Sequence, residues 1–139
     1  MIDDWVNDYV GVPYLVNGRD RDGWDCWGLV MAVYQERLGI SLPDWRVDLP
    51  AIGLIDPSAS ADKITEAVAT ESKKSVQLML PAPWSIAVVR RHRLAYHVGV
   101  VTEGGKMLHC SIHSRGTSCQ SLAQFLREFP NTTFWQWNG

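Results

Sequence analysis

The apolar residues of this chain change their spacing once, from a helical repeat in the first part to short alternating runs after Pro83. Between Cys26 and Leu38 they recur at helical intervals, and Gly39 follows as a stop, which predicts an amphipathic helix. After Pro83 apolar and polar residues alternate over short runs, which predicts strands. Helices that come first and an antiparallel sheet that follows define an α+β fold.

The alternating runs predict strands over residues 85–90, 96–102, 106–112 and 133–137. Glu103-Gly104-Gly105 separates the second run from the third and predicts a hairpin turn between them. Further helices are predicted over residues 2–9, 62–72 and 122–128. The prolines of residues 40–61 predict an irregular surface connection that Trp45 holds in place.

Size and composition narrow the functional classes. The chain has 139 residues, which suits a single domain, 1–139, and is too short for two. Hydrophobic residues make up 46% and charged residues 20%, so a packed core is expected rather than disorder. The net charge of −2 lacks the basic footprint that binding to nucleic acid or to an anionic membrane requires. No apolar run is long enough for a membrane span, and the acidic start is unlike a signal peptide.

Cys26 stands at the first turn of the predicted helix, and at least one of the 3 cysteines must be unpaired within the monomer. Free backbone N–H groups and the helix dipole at such a position lower the pKa of a thiol, and they can also bind the oxyanion formed when sulfur attacks a carbonyl. Asp25 would raise that pKa unless it turns away as the helix N-cap. The alternative is that Cys26 is a small core residue, since it faces the same side as Leu29 and Val30.

Two histidines fall on strands that the predicted hairpin would pair. His97 is expected on the face opposite to Tyr96 and Val98, and His109 is expected on the face opposite to Cys110. The hairpin would make the two imidazoles neighbours. A thiol, a base and an orienting group would then be Cys26, His97 and His109. A single histidine taken alone is more often a hydrogen-bonded strand residue without a catalytic role.

Several strings of the sequence resemble the NlpC-type cell-wall cysteine peptidases. They cover the start of the chain and its strand half. The strings are Gly11-Val12-Pro13-Tyr14, Gly18-Arg19-Asp20, Gly23-Trp24-Asp25-Cys26-Trp27-Gly28-Leu29-Val30 and Tyr96-His97-Val98-Gly99-Val100, with His109 in the strand that follows. The resemblance implies a papain-like fold with the cysteine at a helix start packed on the antiparallel sheet. It also implies hydrolysis of an amide in peptidoglycan stem peptides, between γ-D-glutamate and a diamino acid, with no cofactor and no metal.

The resemblance also assigns roles to individual residues. It implies Cys26 as nucleophile, His97 as base and His109 as the third polar residue. Tyr14 would lie near the sulfur and Asp25 would receive the free amino group of the substrate. Together with Trp27, these two are expected to support substrate binding or the oxyanion.

The Asp-Cys-Trp-Gly-Leu-Val form of the motif resembles the branch found in tail-associated proteins of long-tailed bacteriophages. That branch implies tail-tip proteins as partners, synthesis in the host cytoplasm and delivery to the cell envelope on the particle. Residues 81–86 depart from the pattern, because many members have a Pro-Gly-Asp turn there. Residues 41–80 match no part of it and could set the choice of substrate.

Other interpretations remain open at this stage. A zinc site could use His109, Cys110, His113 and Cys119, although alternation along the strand should turn Cys110 away from both histidines. The tryptophans could form an interface of a non-catalytic tail-tip module, or could simply fill the core. A thiol acyltransferase would use the same Cys26 and His97. The basic run at residues 90–93 could be a solvated loop or a contact with an anionic polymer.

Overall fold

Helix α1 spans Cys26–Val33 and begins where the sequence predicts a helix start. The structure, a computed structural model, describes residues 2–44, 75–91, 94–112 and 116–138. The Asp25 side chain caps α1 by accepting a hydrogen bond from the Gly28 N–H. The helix continues as a π-helical turn, Tyr34–Leu38, and ends at Gly39, whose φ of 67° is the left-handed conformation that glycine adopts without strain.

A six-stranded antiparallel sheet is the largest element among the described residues. A short hairpin of β1 (Arg19–Asp20) and β2 (Gly23–Trp24) precedes α1. The strands of the sheet are β3 (Ser75–Leu78), β4 (Ile86–Arg91), β5 (Leu94–Val101), β6 (Lys106–Ser111), β7 (Gly116–Ser121) and β8 (Thr132–Trp137). They lie in the order β3-β8-β4-β5-β6-β7, and helix α2, Leu122–Glu128, joins β7 to β8.

The sheet buries apolar side chains on both faces. The α1-side core comprises Leu29, Val30 and Val33 of α1 with Val88, Val98, Val100, Leu108 and Cys110 of the sheet. The α2-side core comprises Phe125 of α2 with Ala87, Val89, Val101, Met107 and Phe134 of the sheet. Full burial of one large aliphatic or aromatic side chain contributes roughly 1.5–3 kcal/mol. Strands β4, β5 and β6 are therefore held between two helices and are the most constrained part of the fold.

A bulge interrupts the alternation of β5 immediately before His97. The pairing of β4 with β5 shifts between Val89 and Arg90, which leaves Tyr96 as an extra residue. Val98 packs in the α1-side core, whereas Tyr96 packs against the α2-side core. The prediction that Tyr96 shares a face with Val98 is therefore wrong, because strict alternation does not continue through a bulge.

The segment before β4 forms a turn that Ser85 closes. The Ser85 hydroxyl donates to the Ala82 carbonyl at 2.6 Å, and the Ser85 N–H donates to the same carbonyl at 3.0 Å. Trp84 has a left-handed φ of 66°, and its ring stacks on Trp5 with the centroids 5.0 Å apart. The Tyr34 hydroxyl donates to the Trp84 carbonyl. This turn thus joins the sheet to the helical part of the chain without the Pro-Gly-Asp sequence.

The α+β prediction is confirmed. The 4 predicted strands and the 122–128 helix are found within two residues of their predicted bounds. Residues 2–9 form a 3-10 helix at Asp4–Asp8, and β3 and β7 are strands that the sequence pattern does not predict. The connection around Trp45 and the predicted 62–72 helix lie outside the described residues. No helix within the described ranges is long and apolar enough to cross a membrane.

Helix α1 packs so closely on the β1–β2 hairpin that residue 28 has room only for glycine. A Cβ at Gly28 would lie 2.5 Å from the Gly18 carbonyl oxygen and 2.9 Å from the Trp24 Cβ. We expect Gly28→Ala to lower the free energy of unfolding by roughly 1–3 kcal/mol, measured by urea denaturation. Alanine in an uncrowded helix would instead stabilise by up to about 1 kcal/mol, and that result would contradict the packing. Gly39→Asn is the control, because no atom lies within 4 Å of a Cβ there.

Candidate active site

The β1–β2 hairpin fixes the chain just before the cysteine. Trp24 is buried, and its Nε1 donates to the Thr117 Oγ1 at 2.7 Å. The Cys110 thiol donates to the Trp24 carbonyl at 3.3 Å. Both partners belong to the far strands β6 and β7, so the backbone that leads into α1 is attached to the sheet by long-range contacts.

The Asp25 carboxylate is turned into the protein and is surrounded by donors. Its Oδ1 accepts from the Gly28 N–H at 2.8 Å and from the Arg19 Nη1 at 2.9 Å, and its Oδ2 accepts from the Asn17 N–H at 3.0 Å. Arg19 also donates to Asp44 at 2.7 Å. The N-cap prediction for Asp25 is confirmed.

The Cys26 side chain is 6% exposed and lies in the α1-side core. Burial, followed by the Asp25 carboxylate, raises the pKa of Cys26 to about 12. The backbone N–H groups of Val98 and Trp27 face the sulfur and act in the opposite direction. The helix end lowers this pKa as predicted, but burial and the Asp25 carboxylate outweigh the favourable N–H groups, so the net shift is upward. Burial therefore favours the neutral thiol of Cys26.

His97 and His109 form a direct pair. His97 Nε2 lies 2.9 Å from His109 Nδ1, and the side chains are 8% and 3% exposed. The predicted contact between the two imidazoles is confirmed. Gly99 is opposite His109 in the ladder, and a Cβ on Gly99 would lie 3.1 Å from the His109 Cβ. The absence of a side chain at Gly99 thus gives His109 the space to lean toward His97.

Aromatic rings of α2 and its end hold the two imidazoles. Phe125 packs against His109 edge-on with the centroids 5.0 Å apart, and Phe129 lies 5.7 Å from the His97 ring. Burial lowers the pKa of His109, while Gln120 and the Glu128 carboxylate act in the opposite direction. Burial thus favours the neutral form of His109, which is the form that can accept a hydrogen bond from His97.

The thiol and the imidazole pair both lie next to residues 97–98 of β5, although they pack in different cores. Cys26 belongs to the α1-side core with Val98, whereas the imidazoles contact Phe125 of the α2-side core. The two halves adjoin through consecutive residues of β5, because the Val98 N–H that faces the sulfur comes directly after His97. The recorded pairing of β5 with β6 ends at Gly99, next to this point.

Tyr14 and Trp27 lie on the thiol side of the site. Tyr14 forms a bridge with Trp24, and the pKa of its hydroxyl is raised by burial, then by Cys26 and Asp25, which places the phenol near both groups. The Trp27 indole donates to the Pro43 carbonyl at 2.9 Å, while its backbone N–H faces the sulfur. Their proposed contacts with substrate remain predictions.

Sequence reasoning assigned no role to three residues that the structure places at the site. Arg19 and Asn17 hold the Asp25 carboxylate, and Gln120 contacts His109. The Gly18-Arg19-Asp20 string was the available signal for Arg19, since a basic residue just before an acidic cap is a natural partner for it. Gln120 gave no signal, because β7 was not predicted as a strand.

The structure also bears on the alternative interpretations. Cys110 lies in the α1-side core, whereas the His109 ring packs on Phe125 on the other face of β6. The two side chains therefore point apart, as alternation along the strand predicts, and are not placed to share a zinc ion. Cys119 packs against the α1-side core, and His113 lies outside the described residues. The tryptophans also contribute to the core: Trp24 is buried in it, and Trp5, Trp27, Trp84, Trp135 and Trp137 pack against it.

Comparison with known proteins identifies the family. The sequence profile of the NlpC/P60 family matches residues 11–129, a range that includes the thiol, both histidines and Gln120. The chain belongs to the NlpC/P60 family. NlpC/P60 proteins are cysteine peptidases that act on peptidoglycan.

Two curated relatives match parts of this NlpC/P60 chain. Gamma-DL-glutamyl hydrolase of Bacillus subtilis (strain 168) is 53% identical over 36 residues, which is 25% of this chain and 9% of that protein. Protein P54 of Enterococcus faecium is 25% identical over 121 residues, which is 87% of this chain and 20% of that protein. The chain thus spans a fifth or less of the length of either relative.

Two solved structures share the fold. The NlpC/p60 domain of the peptidoglycan hydrolase SagA has a TM-score of 0.58 and 21% identity, with 94% of this chain and 90% of that chain covered. NlpC1 from Trichomonas vaginalis has a TM-score of 0.62 and 20% identity, with 94% of this chain and 42% of that chain covered. These likenesses confirm the NlpC/P60 architecture.

The charge of Asp25 controls how readily Cys26 ionises. Asp25→Asn keeps a side-chain oxygen at the N-cap but removes the charge, so the pKa of Cys26 should fall. Each unit of that fall raises the thiolate fraction about tenfold at a given pH. The measurement is the rate of Cys26 alkylation by iodoacetamide at pH 8, followed by peptide mass spectrometry.

Asp22→Asn is the matched control for this experiment, because Asp22 is an exposed carboxylate in the same hairpin. The Cys119 alkylation rate in the same sample reports general opening of the fold. An unchanged or slower Cys26 rate in Asp25→Asn would contradict the electrostatic effect.

The buried His109 should make stability depend on pH. Its folded pKa lies below that of an unfolded histidine, about 6.5, so its contribution is full above that pH and is lost as the pH falls below it. We expect the free energy of unfolding to decrease between pH 7.5 and 5.5, and to decrease less in His109→Asn. Urea denaturation at each pH measures this, and equal slopes for the two proteins would argue against it.

Proposed function

We propose that this chain hydrolyses an amide bond of peptidoglycan, the bond between γ-D-glutamate and the diamino acid of the stem peptide. The observation that carries the proposal is the arrangement along β5, where the Val98 N–H faces the Cys26 sulfur and the preceding residue, His97, is bonded to His109. A nucleophile, a base and a group that orients the base are what acyl transfer through a thioester requires. Family membership supports peptidoglycan as substrate, and the short match to a γ-DL-glutamyl hydrolase supports the γ-glutamyl bond.

The first step must transfer a proton from a neutral thiol. A thiol with a pKa of about 12 is almost wholly protonated at neutral pH, so His97 takes the proton as the sulfur attacks the carbonyl carbon. His97 Nε2 and His109 Nδ1 are 2.9 Å apart, and we propose that His109 Nδ1 is the acceptor, which leaves His97 Nδ1 as the basic nitrogen. Backbone N–H groups at the start of α1 stabilise the oxyanion that forms.

The later steps restore the enzyme. The imidazolium of His97 gives its proton to the amine of the diamino acid as the C–N bond breaks, which leaves a thioester on Cys26. His97 then removes a proton from water, which attacks the thioester and releases the carboxylate of γ-D-glutamate. The proton returns to the sulfur, so the cycle consumes only water.

The substrate side of the site is the group around α1. Tyr14 and Trp27 flank the thiol, and we propose that they position the peptide. Asp25 is proposed to attract the free amino group of the substrate, although its oxygens already accept three hydrogen bonds. That contact would therefore act through charge more than through a new hydrogen bond. Carriage on a phage tail remains a prediction that rests on the Asp25–Val30 string alone.

The test is mass spectrometry of muropeptides after digestion of purified cell wall. Wild type should release fragments cut at the γ-glutamyl bond, and Cys26→Ala should release none while keeping the circular dichroism spectrum. Cys119→Ala is the matched control, a thiol that packs against the same core and has no role in the cycle. Binding without products would favour an interaction module, and transfer to an added amine would favour an acyltransferase.

The two histidines should differ in their importance. His97→Ala removes the base and should lower kcat by roughly 10²–10⁴-fold, the usual contribution of a general acid–base group. His109→Ala removes only the group that orients the base, so its kcat should fall by less. Initial rates on one purified muropeptide rank the two variants, and the reverse order would show that the base and the orienting group have been exchanged.

A further inference from the structure

Two polar nitrogen atoms next to the imidazole pair are buried without a hydrogen bond. His109 Nε2 and Gln120 Nε2 both lack a partner among the residues that the structure describes. In the β6–β7 ladder His109 pairs with Ser118, and Met107 pairs with Gln120. Gln120 is thus the diagonal neighbour of His109 on the same face, within reach of its ring.

A half turn of the Gln120 amide puts an oxygen where its unpaired nitrogen lies. Rotation of the Gln120 amide about its last bond exchanges Nε2 and Oε1 and leaves the carbon positions unchanged. Oε1 is then the acceptor available to a His109 Nε2–H group. The contact with Gln120 raises the pKa of His109, which is the effect of an acceptor that receives a hydrogen bond from the ring. A buried donor left without an acceptor would instead cost free energy.

We propose that Gln120 is a positioning residue that fixes the tautomers of both histidines. The inference deepens the proposed function and rests on it. With Oε1 as acceptor, His109 carries its proton on Nε2 and presents a lone pair on Nδ1. His97 Nε2, 2.9 Å away, donates to that lone pair. The proton of neutral His97 is therefore on Nε2, and Nδ1 is free to act as the base.

Among the described groups that face His109, Gln120 is the one that can select a single tautomer of its ring. His97 comes from β5, Gln120 from β7, and Phe125 with the Glu128 carboxylate from α2. Phe125 offers no acceptor. Glu128 acts on His109 only through its charge and would favour a doubly protonated ring, which could not accept a hydrogen bond from His97. A neutral amide oxygen selects one tautomer without adding a proton.

The first experiment reads the tautomer in the wild-type protein and needs no activity. Long-range ¹H–¹⁵N spectra of histidine-labelled protein at pH 7.5 distinguish Nε2–H from Nδ1–H rings. We expect Nε2–H for both His97 and His109. An Nδ1–H ring at His109 would overturn the proposal, whether or not the protein hydrolyses peptidoglycan.

Two variants of Gln120 distinguish the effect of its acceptor oxygen from the effect of its side-chain size. Gln120→Met keeps the length of the side chain and removes the acceptor, so the His109 signal should show both tautomers. Gln120→Glu keeps an acceptor oxygen but adds a negative charge, so it should shift His109 toward the doubly protonated ring. Thermal unfolding checks that both variants are folded, and if Gln120→Met does not fold, the wild-type spectrum still decides the tautomer.

The kinetic readout uses the same variants on a purified muropeptide. Gln120→Met should lower kcat about tenfold, the worth of one hydrogen bond of about 1.4 kcal/mol, with KM unchanged. Gln120→Glu should lower kcat as well, because a doubly protonated His109 cannot accept a hydrogen bond from His97. A merely structural role would alter KM and stability in both variants. Equal kcat for wild type and Gln120→Met, with a single Nε2–H signal in both, would overturn the proposal. If the wild type is inactive, the proposed function fails, while the spectra still judge Gln120.

Discussion

The Asp25 carboxylate accepts hydrogen bonds from an arginine and from two backbone N–H groups, and the position of the nucleophile depends on these contacts. The bond to Gly28 starts α1, and the bonds to Asn17 and Arg19 join that start to the preceding hairpin. A charged cap so placed fixes Cys26 in direction as well as in position. The same charge makes the thiol harder to ionise. The cap thus places the sulfur precisely, but its charge also lowers the fraction of Cys26 that is ionised before the reaction begins.

Strand β5 connects the two halves of the site. The Val98 N–H faces the cysteine sulfur, and the preceding residue, His97, contacts the aromatic rings of α2 and its end. Because of the bulge at Tyr96, the side chains of Tyr96 and Val98 pack in different cores, whereas they would share one face of an unbroken strand. Because β5 is held by β4 on one side and by β6 on the other, the spacing between nucleophile and base is set by a backbone buried on both faces.

Local patterns in the sequence were enough to predict much of this arrangement. The repeat after Cys26 predicted α1, alternation predicted four strands, and a Gly-Gly turn with alternation placed His97 beside His109. Properties that depend on tertiary packing were beyond such patterns. Burial reversed the expected pKa of Cys26, and a bulge changed the face of Tyr96. Strand β7 is rich in Ser, Thr and Gln, so Gln120 could be located only once its pairing with β6 was seen.

A nucleophile kept as a buried, protonated thiol has a chemical consequence beyond the catalytic cycle. Peroxide and disulfides react with the thiolate, so a sulfur that ionises only as its reaction begins is oxidised slowly. Three reduced cysteines without a disulfide would otherwise be vulnerable wherever no cellular reductant protects them. The packing that buries Cys26 therefore also slows oxidation of its sulfur.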